Sequence, residues 1–320
     1  MPTLTLIDGS GFVFRAYHAI PHLSTTRGVP TNAVYGFTTM LLKALREHSP
    51  THVVLVMDAG RRTFRHDLDP SYKANRPEPP EDLVPQFPLV REVARALAVP
   101  VIEEPGAEAD DVIATLARRA RAQGFDVVIV TGDKDFAQMV GEGVELYDPM
   151  AEAAGRGGWT RAAEVEARLG VPPGRVVDLM ALTGDKVDNV PGVPGVGEVT
   201  AAALVRHFGT VEELLRRPEE IPAAVARGGE RLRERIVAHA DRIRLNRRLV
   251  ELREDLAVPE RPEDLARRPP DAERVRALFA DLEFSRLLRD LPPPPAPPRA
   301  EPTEVLRTRA ALDAAVAEAR

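Results

Sequence analysis

The sequence predicts an α/β protein: a central, mostly parallel sheet with helices on both faces, followed by a helical region. Two observations carry that expectation. Apolar, strand-like runs at 3–7, 52–57, 99–103, 126–131 and 144–147 alternate with helical patterns near 32–47, 82–97 and 109–122, the signature of a parallel sheet covered by helices. From about residue 160 the strand signal stops, and 161–169, 175–182, 198–207, 211–216, 229–248 and 272–288 read as helices broken by Gly and Pro. The expected organisation is an α/β part over 1–160 and a helical part over 161–290. Residues 291–298, Leu-Pro-Pro-Pro-Pro-Ala-Pro-Pro, read as a semi-rigid polyproline linker. The tail 299–320 is too short for a domain and reads either as the opening of another one or as a disordered tail.

Taken in order, the strands share a feature. The first run ends at Asp8 and the second at Asp58. The third leads through Glu-Glu-Pro-Gly into Glu108, Asp110 and Asp111, which open the amphipathic pattern 109–122. The fourth leads into Asp133 and Asp135. Strands of a parallel sheet that end in acids bring those acids to one edge, where α/β proteins place their ligands. Seven like charges there repel one another, so the arrangement calls for cations.

The spacings refine this. Glu108 and Asp111 stand three apart at a helix start and share a face, while Asp110 lies in the first turn, where the helix dipole tolerates anions. Asp133 and Asp135 point to one side if the chain stays extended. Thr183-Gly-Asp-Lys-Val-Asp-Asn189 adds Asp185 and Asp188 from the helical part. An all-oxygen set without histidine suits Mg²⁺ or Mn²⁺ and disfavours zinc. Such a set holds two metals of the kind used for phosphodiester hydrolysis. Any one of these acids is as readily a helix cap; the set is informative collectively. A haloacid-dehalogenase-type phosphatase needs a second Asp two residues after the first, and Asp8 is followed by Gly9 and Ser10.

The totals agree. There are 320 residues, with 43 Lys plus Arg against 49 Asp plus Glu and a formal net charge of −6. Setting aside the nine acids above leaves +3, so net charge does not exclude nucleic acid. The chain has no cysteine, which excludes disulfides, thiolate nucleophiles and Cys-ligated metals. No apolar run approaches the roughly 20 residues of a membrane span, and the N-terminus reads as an immediate strand, so a soluble cytoplasmic protein is expected.

Two segments suit a nucleic acid. Residues 61–77 carry five Lys/Arg against two Asp, with Phe64 and Tyr72 interleaved. Arg65, Lys73 and Arg76 would track phosphates, and an aromatic ring offers a stacking face to an unpaired base. Residues 190–205 form a Gly-rich hairpin opening a helix, in which Gly192, Gly195 and Gly197 let backbone amides approach a phosphate, the helix-hairpin-helix pattern. Trp159 reads as a packing anchor, and the seven histidines are scattered without metal spacing.

Asp8-Gly-Ser, Val-Tyr-Gly-Phe37, Val-Met-Asp-Ala59, Phe-Arg-His66, Tyr-Lys-Ala-Asn-Arg-Pro77, Glu-Ala-Asp-Asp111, Thr-Gly-Asp-Lys-Asp135 and Leu-Thr-Gly-Asp-Lys-Val-Asp-Asn-Val-Pro-Gly-Val193 occur in order. Over roughly residues 3–290 they resemble the 5′→3′ exonuclease domain of bacterial DNA polymerase I, within the flap endonuclease superfamily. The resemblance implies a PIN-like or resolvase-like sheet followed by a helix-hairpin-helix region. It implies a nuclease that removes RNA primers and 5′ flaps from DNA in primer removal and repair. It places Asp8, Asp58, Glu108, Asp110 and Asp111 around a first Mg²⁺ and Asp133, Asp135, Asp185 and Asp188 around a second, with Asp111 shared. Asp111→Ala is accordingly expected to abolish cleavage while DNA binding survives. Lys73 and Arg76 resemble the pair that steers the scissile phosphate, and Tyr72 the aromatic residue at the gateway. A K⁺ ion at the hairpin, a sliding clamp or a covalently following polymerase domain as partner, and a monomeric state are further implications. Pro194 and Val199 depart from the lysines of many relatives, which weakens phosphate contact at the hairpin. The competing readings are a PIN-like metal-dependent ribonuclease and a non-catalytic DNA-junction binder.

Overall fold

Strands rich in Val, Ile and Leu on both faces are stable only between two layers of helices. The computed structural model, which describes residues 1–225, 228–292, 309–310 and 317, has that arrangement. Strands β1 (Thr3–Asp8), β2 (His52–Val56), β3 (Val101–Ile102), β4 (Asp126–Val130) and β5 (Val144–Tyr147) run parallel in the order β3-β2-β1-β4-β5. A short antiparallel β6 (Trp159–Thr160) closes the β5 edge. The linker from residue 293 and almost all of the expected tail lie outside the described residues.

Alternation along the strands feeds two cores. Leu4, Leu6, Val54, Val56, Val127 and Ile129 face the helix Ala109–Ala122. Ile7, Val53, Leu55, Val128 and Val130 face the helices Gly9–Ala19, Asn32–His48 and Gln86–Ala96. Pairing of Ile7 with Leu55 and Val130 puts the C-terminal ends of the three central strands level with one another. That register brings their terminal acids together.

Several boundaries differ from the sequence expectation. A helix over Gly9–Ala19 follows β1 directly, started by Asp8, whose Oδ1 accepts from Gly11 N at 2.8 Å. A short helix, Phe64–Leu68, interrupts the basic segment. The expected helix 229–248 is two, Gly229–Ala238 and Ala240–Val250, and 272–288 is likewise Ala272–Asp281 and Ser285–Asp290. Extended structure also returns after 160, as an antiparallel pair of Gly184–Asp185 with Val190–Pro191. Trp159 packs against His48 and Tyr147.

The change near residue 160 separates element types, not cores. One cluster joins Leu4, Val54 and Ile129 of the sheet to Leu182, Val205, Ile243 and Leu249 of the helical part. The last helices return to the opposite face, where Val275, Leu278 and Phe279 meet the cluster holding Val90 and Leu97.

A buried ion pair ties the halves together. Arg65 sits 1% exposed and Asp111 fully buried. The guanidinium grips the carboxylate with two bonds, Nη1 to Oδ2 at 2.6 Å and Nη2 to Oδ1 at 2.8 Å. Its remaining donors go to the helical half, Nε to the Leu249 carbonyl at 2.7 Å and Nη2 to the Glu251 carbonyl at 3.0 Å. Asp111 Oδ1 also accepts from Arg253 N at 2.9 Å.

Two expectations are corrected here. Arg65, 1% exposed, is turned into the core instead of toward a DNA surface, and both oxygens of Asp111 accept from protein donors, so the structure pairs Asp111 with Arg65 instead of leaving it open in the acid cluster. Removing one member of a buried pair strands the other's charge, typically at about 3–5 kcal/mol. Arg65→Ala or Asp111→Ala should therefore lower unfolding stability by about that amount in denaturant melts. A loss under about 1 kcal/mol would show that the pair does not hold the halves together.

Candidate active site

Asp8 ends β1 at the mouth of the sheet, accepting from Gly11 N and, through Oδ2, from Thr131 Oγ1 at 2.9 Å. Asp58, just past β2, is exposed; its amide donates to Ser10 Oγ at 2.9 Å and its Oδ1 accepts from Ala109 N at 2.9 Å. That second bond locks the strand-two acid to the helix start carrying Glu108 and Asp110. Glu108 is the cap of that helix.

After β4 the chain does not stay extended. Asp133 caps a 3-10 turn, accepting from Asp135 N at 2.9 Å, so the two acids are held together by a turn rather than by strand periodicity. Asp185 and Asp188 flank the small hairpin of the helical half. Asp185, 4% exposed, accepts from Val187 N at 2.7 Å and pairs with Lys134 at 2.8 Å.

Electrostatics show how closely these acids stand. Burial, together with Asp133 and Asp58, pushes the Asp8 carboxyl up to about 6, against the bonds from Gly11 and Thr131. Asp135 is pushed up to about 8 by burial and by Asp133 and Asp185. Asp110 is held well above the usual carboxylate range by burial and by Asp8 and Asp133. Asp135 Oδ1 is buried with no hydrogen-bond partner among the described residues. A cleft of about 10 Å³ lies between Tyr72, Glu108, Asp110, Asp135, Asp185 and Asp188. That is room for one water-sized species. Hard oxygen donors, mutual repulsion and an unpartnered buried oxygen together fit a divalent cation. A cavity of about 710 Å³ elsewhere is lined by none of these acids.

Among the described residues no three acids stand in ready metal-binding geometry. Cationic side chains instead occupy the gaps. Lys73 Nζ lies 2.8 Å from Glu108 Oε2 and 3.6 Å from Asp188 Oδ2, and Arg76 Nη2 lies 2.5 Å from Asp188 Oδ1. Burial would lower the Lys73 pKa, but Glu108 and Asp188 raise it above its ordinary value, so the ammonium stays charged. Burial would raise Asp188, but Lys73 and Arg76 hold it below the usual range.

Tyr72 requires a correction. It is 3% exposed, and its hydroxyl donates to Asp188 Oδ2 at 2.8 Å and stands 3.2 Å from Glu108 Oε2. The ring offers no stacking face; it braces two acids from opposite halves of the chain. Phe64, half-buried, is flanked by the guanidiniums of Arg65 and Arg253 at 4.6 and 5.3 Å.

The three hairpin glycines have different reasons. A Cβ on Gly192 would stand 2.0 Å from the Thr183 carbonyl oxygen, so packing against the end of the helix Val176–Thr183 requires glycine there. Gly195 has a φ of +75°. Gly197 caps the helix Glu198–Phe208 with open space around it. Pro194 and Val199 are both exposed beside them.

Sequence reasoning passed over Lys134, Thr131 and Ser10. The first lies between two site acids and the others beside strand ends, so position alone was the available signal.

Comparison with known proteins agrees with this geometry. The family described as 5'-3' exonuclease, N-terminal resolvase-like domain matches residues 3–170, and the 5'-3' exonuclease, C-terminal SAM fold matches 171–273. DNA polymerase I of Rhizobium leguminosarum is 44% identical, with 89% of this chain aligned to 28% of that protein. That of Bacillus caldotenax is 42% identical over 91% of this chain and 32% of its own length. The chain thus spans about a third of those relatives. A 5'-3' exonuclease of Aquifex aeolicus is 38% identical over 91% of this chain and 96% of its own length. Among solved structures, T5 5'-exonuclease with bound zinc superposes with a TM-score of 0.65 at 19% identity, covering 90% of this chain and 98% of that one. The catalytic core of Rad2 with DNA gives 0.60 at 17%, covering 90% and 91%. No described helix is long and apolar enough to cross a membrane. With both family halves matched end to end and a relative of nearly equal length aligned, this chain belongs to the 5'-3' exonuclease family.

Proposed function

We propose that the chain is a divalent-metal-dependent 5′ nuclease acting on DNA with 5′ flaps, nicks or RNA primers. One observation carries the reading: acids ending three strands meet Asp185 and Asp188 of the helical half, with Lys73 and Arg76 held in the same cluster. Asp8, Asp58, Glu108, Asp110, Asp133, Asp135, Asp185 and Asp188 would hold two Mg²⁺ ions, with Mn²⁺ as substitute. When bound, these ions supply an activated water and neutralise charge developing on the scissile phosphate.

The chain's own residues do the positioning. Lys73 and Arg76, already charged and partly desolvated, would take the non-bridging phosphate oxygens, where their attraction strengthens as charge develops. Tyr72 keeps Glu108 and Asp188 in register across the two halves. Hydrolysis adds water's oxygen to phosphorus and its proton to the departing O3′, leaving a 5′-phosphate and a 3′-hydroxyl. The open end at Gly197 would receive the duplex backbone, with a K⁺ ion at the hairpin. Exposed Pro194 and Val199 leave that contact without side-chain cations. T5 exonuclease structures carry metal ions and the Rad2 structure carries DNA, which supports both parts of the reading by analogy. A following polymerase domain, as in the DNA polymerase I relatives, and a sliding clamp are the partners we propose for the monomer.

A labelled 5′-flap duplex with Mg²⁺ tests the reading. Asp135→Asn should slow cleavage by about 10²–10³-fold while flap binding, read by anisotropy in Ca²⁺, changes little. Wild-type-like cleavage would remove Asp135 from the site. Lys73→Ala should lower the single-turnover rate by about 10²-fold with a much smaller effect on binding. Faster turnover of single-stranded RNA than of flap DNA would instead favour a ribonuclease.

A further inference from the structure

Lys73 reaches the acid cluster from a backbone conformation that a lysine rarely adopts. Its φ is 55°, in the left-handed region, and Asn189, across from it in the other half of the chain, has a φ of 56°. Asparagine tolerates this region; lysine is strained in it. Such strain persists where the surroundings over-determine the backbone, and it gathers at functional sites.

Three hydrogen bonds between the two segments supply that constraint. Lys73 N donates to the Asp188 carbonyl at 2.9 Å. On one side, Asn189 Nδ2 donates to the Ser71 carbonyl at 2.7 Å. On the other, Asn75 Nδ2 donates to the Lys186 carbonyl at 2.9 Å. Each asparagine therefore reads the other segment's backbone, and the two bonds straddle Lys73. Within the turn, Ala74 N bonds the Ser71 carbonyl and Arg76 N the Lys73 carbonyl. The outcome is a turn that aims the ammonium at Glu108 and Asp188 instead of at solvent.

We infer that Asn75 and Asn189 form a reciprocal latch that sets the position of Lys73, acting as positioning residues for the proposed phosphate contact. Both are exposed, and neither touches the acid cluster in the contacts described above. Exposed hydrogen bonds of this kind add little to global stability. Misplacing a charged group by about an ångström is costly to a reaction. The latch therefore separates from the fold: losing it leaves the protein folded and its lysine misdirected. The inference rests on the role proposed for Lys73, and the test distinguishes failure of one from failure of the other.

The test uses Asn75→Ala and Asn189→Gly, the latter keeping the positive φ while deleting the amide, in the full chain. Each variant should melt with the wild type and bind flap DNA in Ca²⁺ normally, while its single-turnover cleavage falls about tenfold. In a Lys73→Ala background the same changes should cost less than about twofold, since the group they position is gone. Trypsin provides an activity-free readout, because Lys73–Ala74 is cleavable whereas Arg76–Pro77 is not. Release of the latch should speed cutting after Lys73 several-fold. Unchanged cleavage and unchanged trypsin sensitivity, or full additivity with Lys73→Ala, would overturn the latch. If Lys73→Ala alone cleaves normally while trypsin sensitivity still rises, the latch stands as a structural device and the role given to Lys73 fails.

Discussion

Carboxylates crowded at one edge of a parallel sheet repel each other, and that repulsion sets the terms for everything around them. The register of β1, β2 and β4 sets Asp8 opposite Val56 and Ile7 opposite Val130, so Asp58 and Asp133 follow within a few residues at the same edge. Burial first, and the neighbouring carboxylates after it, raise the carboxyl pKa values of Asp8 and Asp135. Without compensation the edge would splay. The chain compensates in three ways: helix-start and turn amides donate to Asp8, Asp58 and Asp133, a tyrosine hydroxyl bridges two acids, and lysine and arginine enter the cluster itself. None of these removes the negative potential, which is why the site suits a hard cation.

The same economy explains why the two halves are not independent. Asp185 and Asp188 belong to the helical half, yet their charge is matched by Lys134, Lys73 and Arg76 from the α/β half. Behind the site, Arg65 matches Asp111 and takes two carbonyls at the C-terminal end of the helix Ala240–Val250. Removing either partner of such a buried pair strands the other's charge in the core. Here the pair fixes how the helical half is docked, and with it where Asp185 and Asp188 arrive.

Much of this was legible in the sequence, and the limit has a physical basis. The five parallel strands were readable because burial on both faces writes itself as unbroken apolar runs. The helix Gly9–Ala19 was not, since its glycines weaken the local signal and its cap is a residue already claimed by the site. The acids could be grouped from strand ends alone. What could not be read was which basic residues face inward. Arg65, Lys73 and Arg76 occupy one solvated-looking segment, yet one is buried in a clasp 46 residues away in sequence and the others stand at the acids. Local composition is the same for all three; only long-range pairing separates them. Asp111 is set apart the same way: Glu108 and Asp110 line the acid cleft, whereas both oxygens of Asp111 bond the Arg65 guanidinium.

Burial divides the labour among these cations. Arg65, deep in the core with all its contacts fixed, supports the docking of the halves and has no freedom to meet a ligand. Lys73 and Arg76 stand at the margin, charged, partly desolvated and held by acids that a divalent ion would claim. Glu108 and Asp188 would hold such an ion, and the bonds tying 71–75 to 186–189 would keep Lys73 in place beside it. A phosphate arriving at the edge would then meet groups already aimed and already short of counter-charge. On the proposed function, the repulsion that makes the site costly in isolation would be what frees these cations for a polyanion.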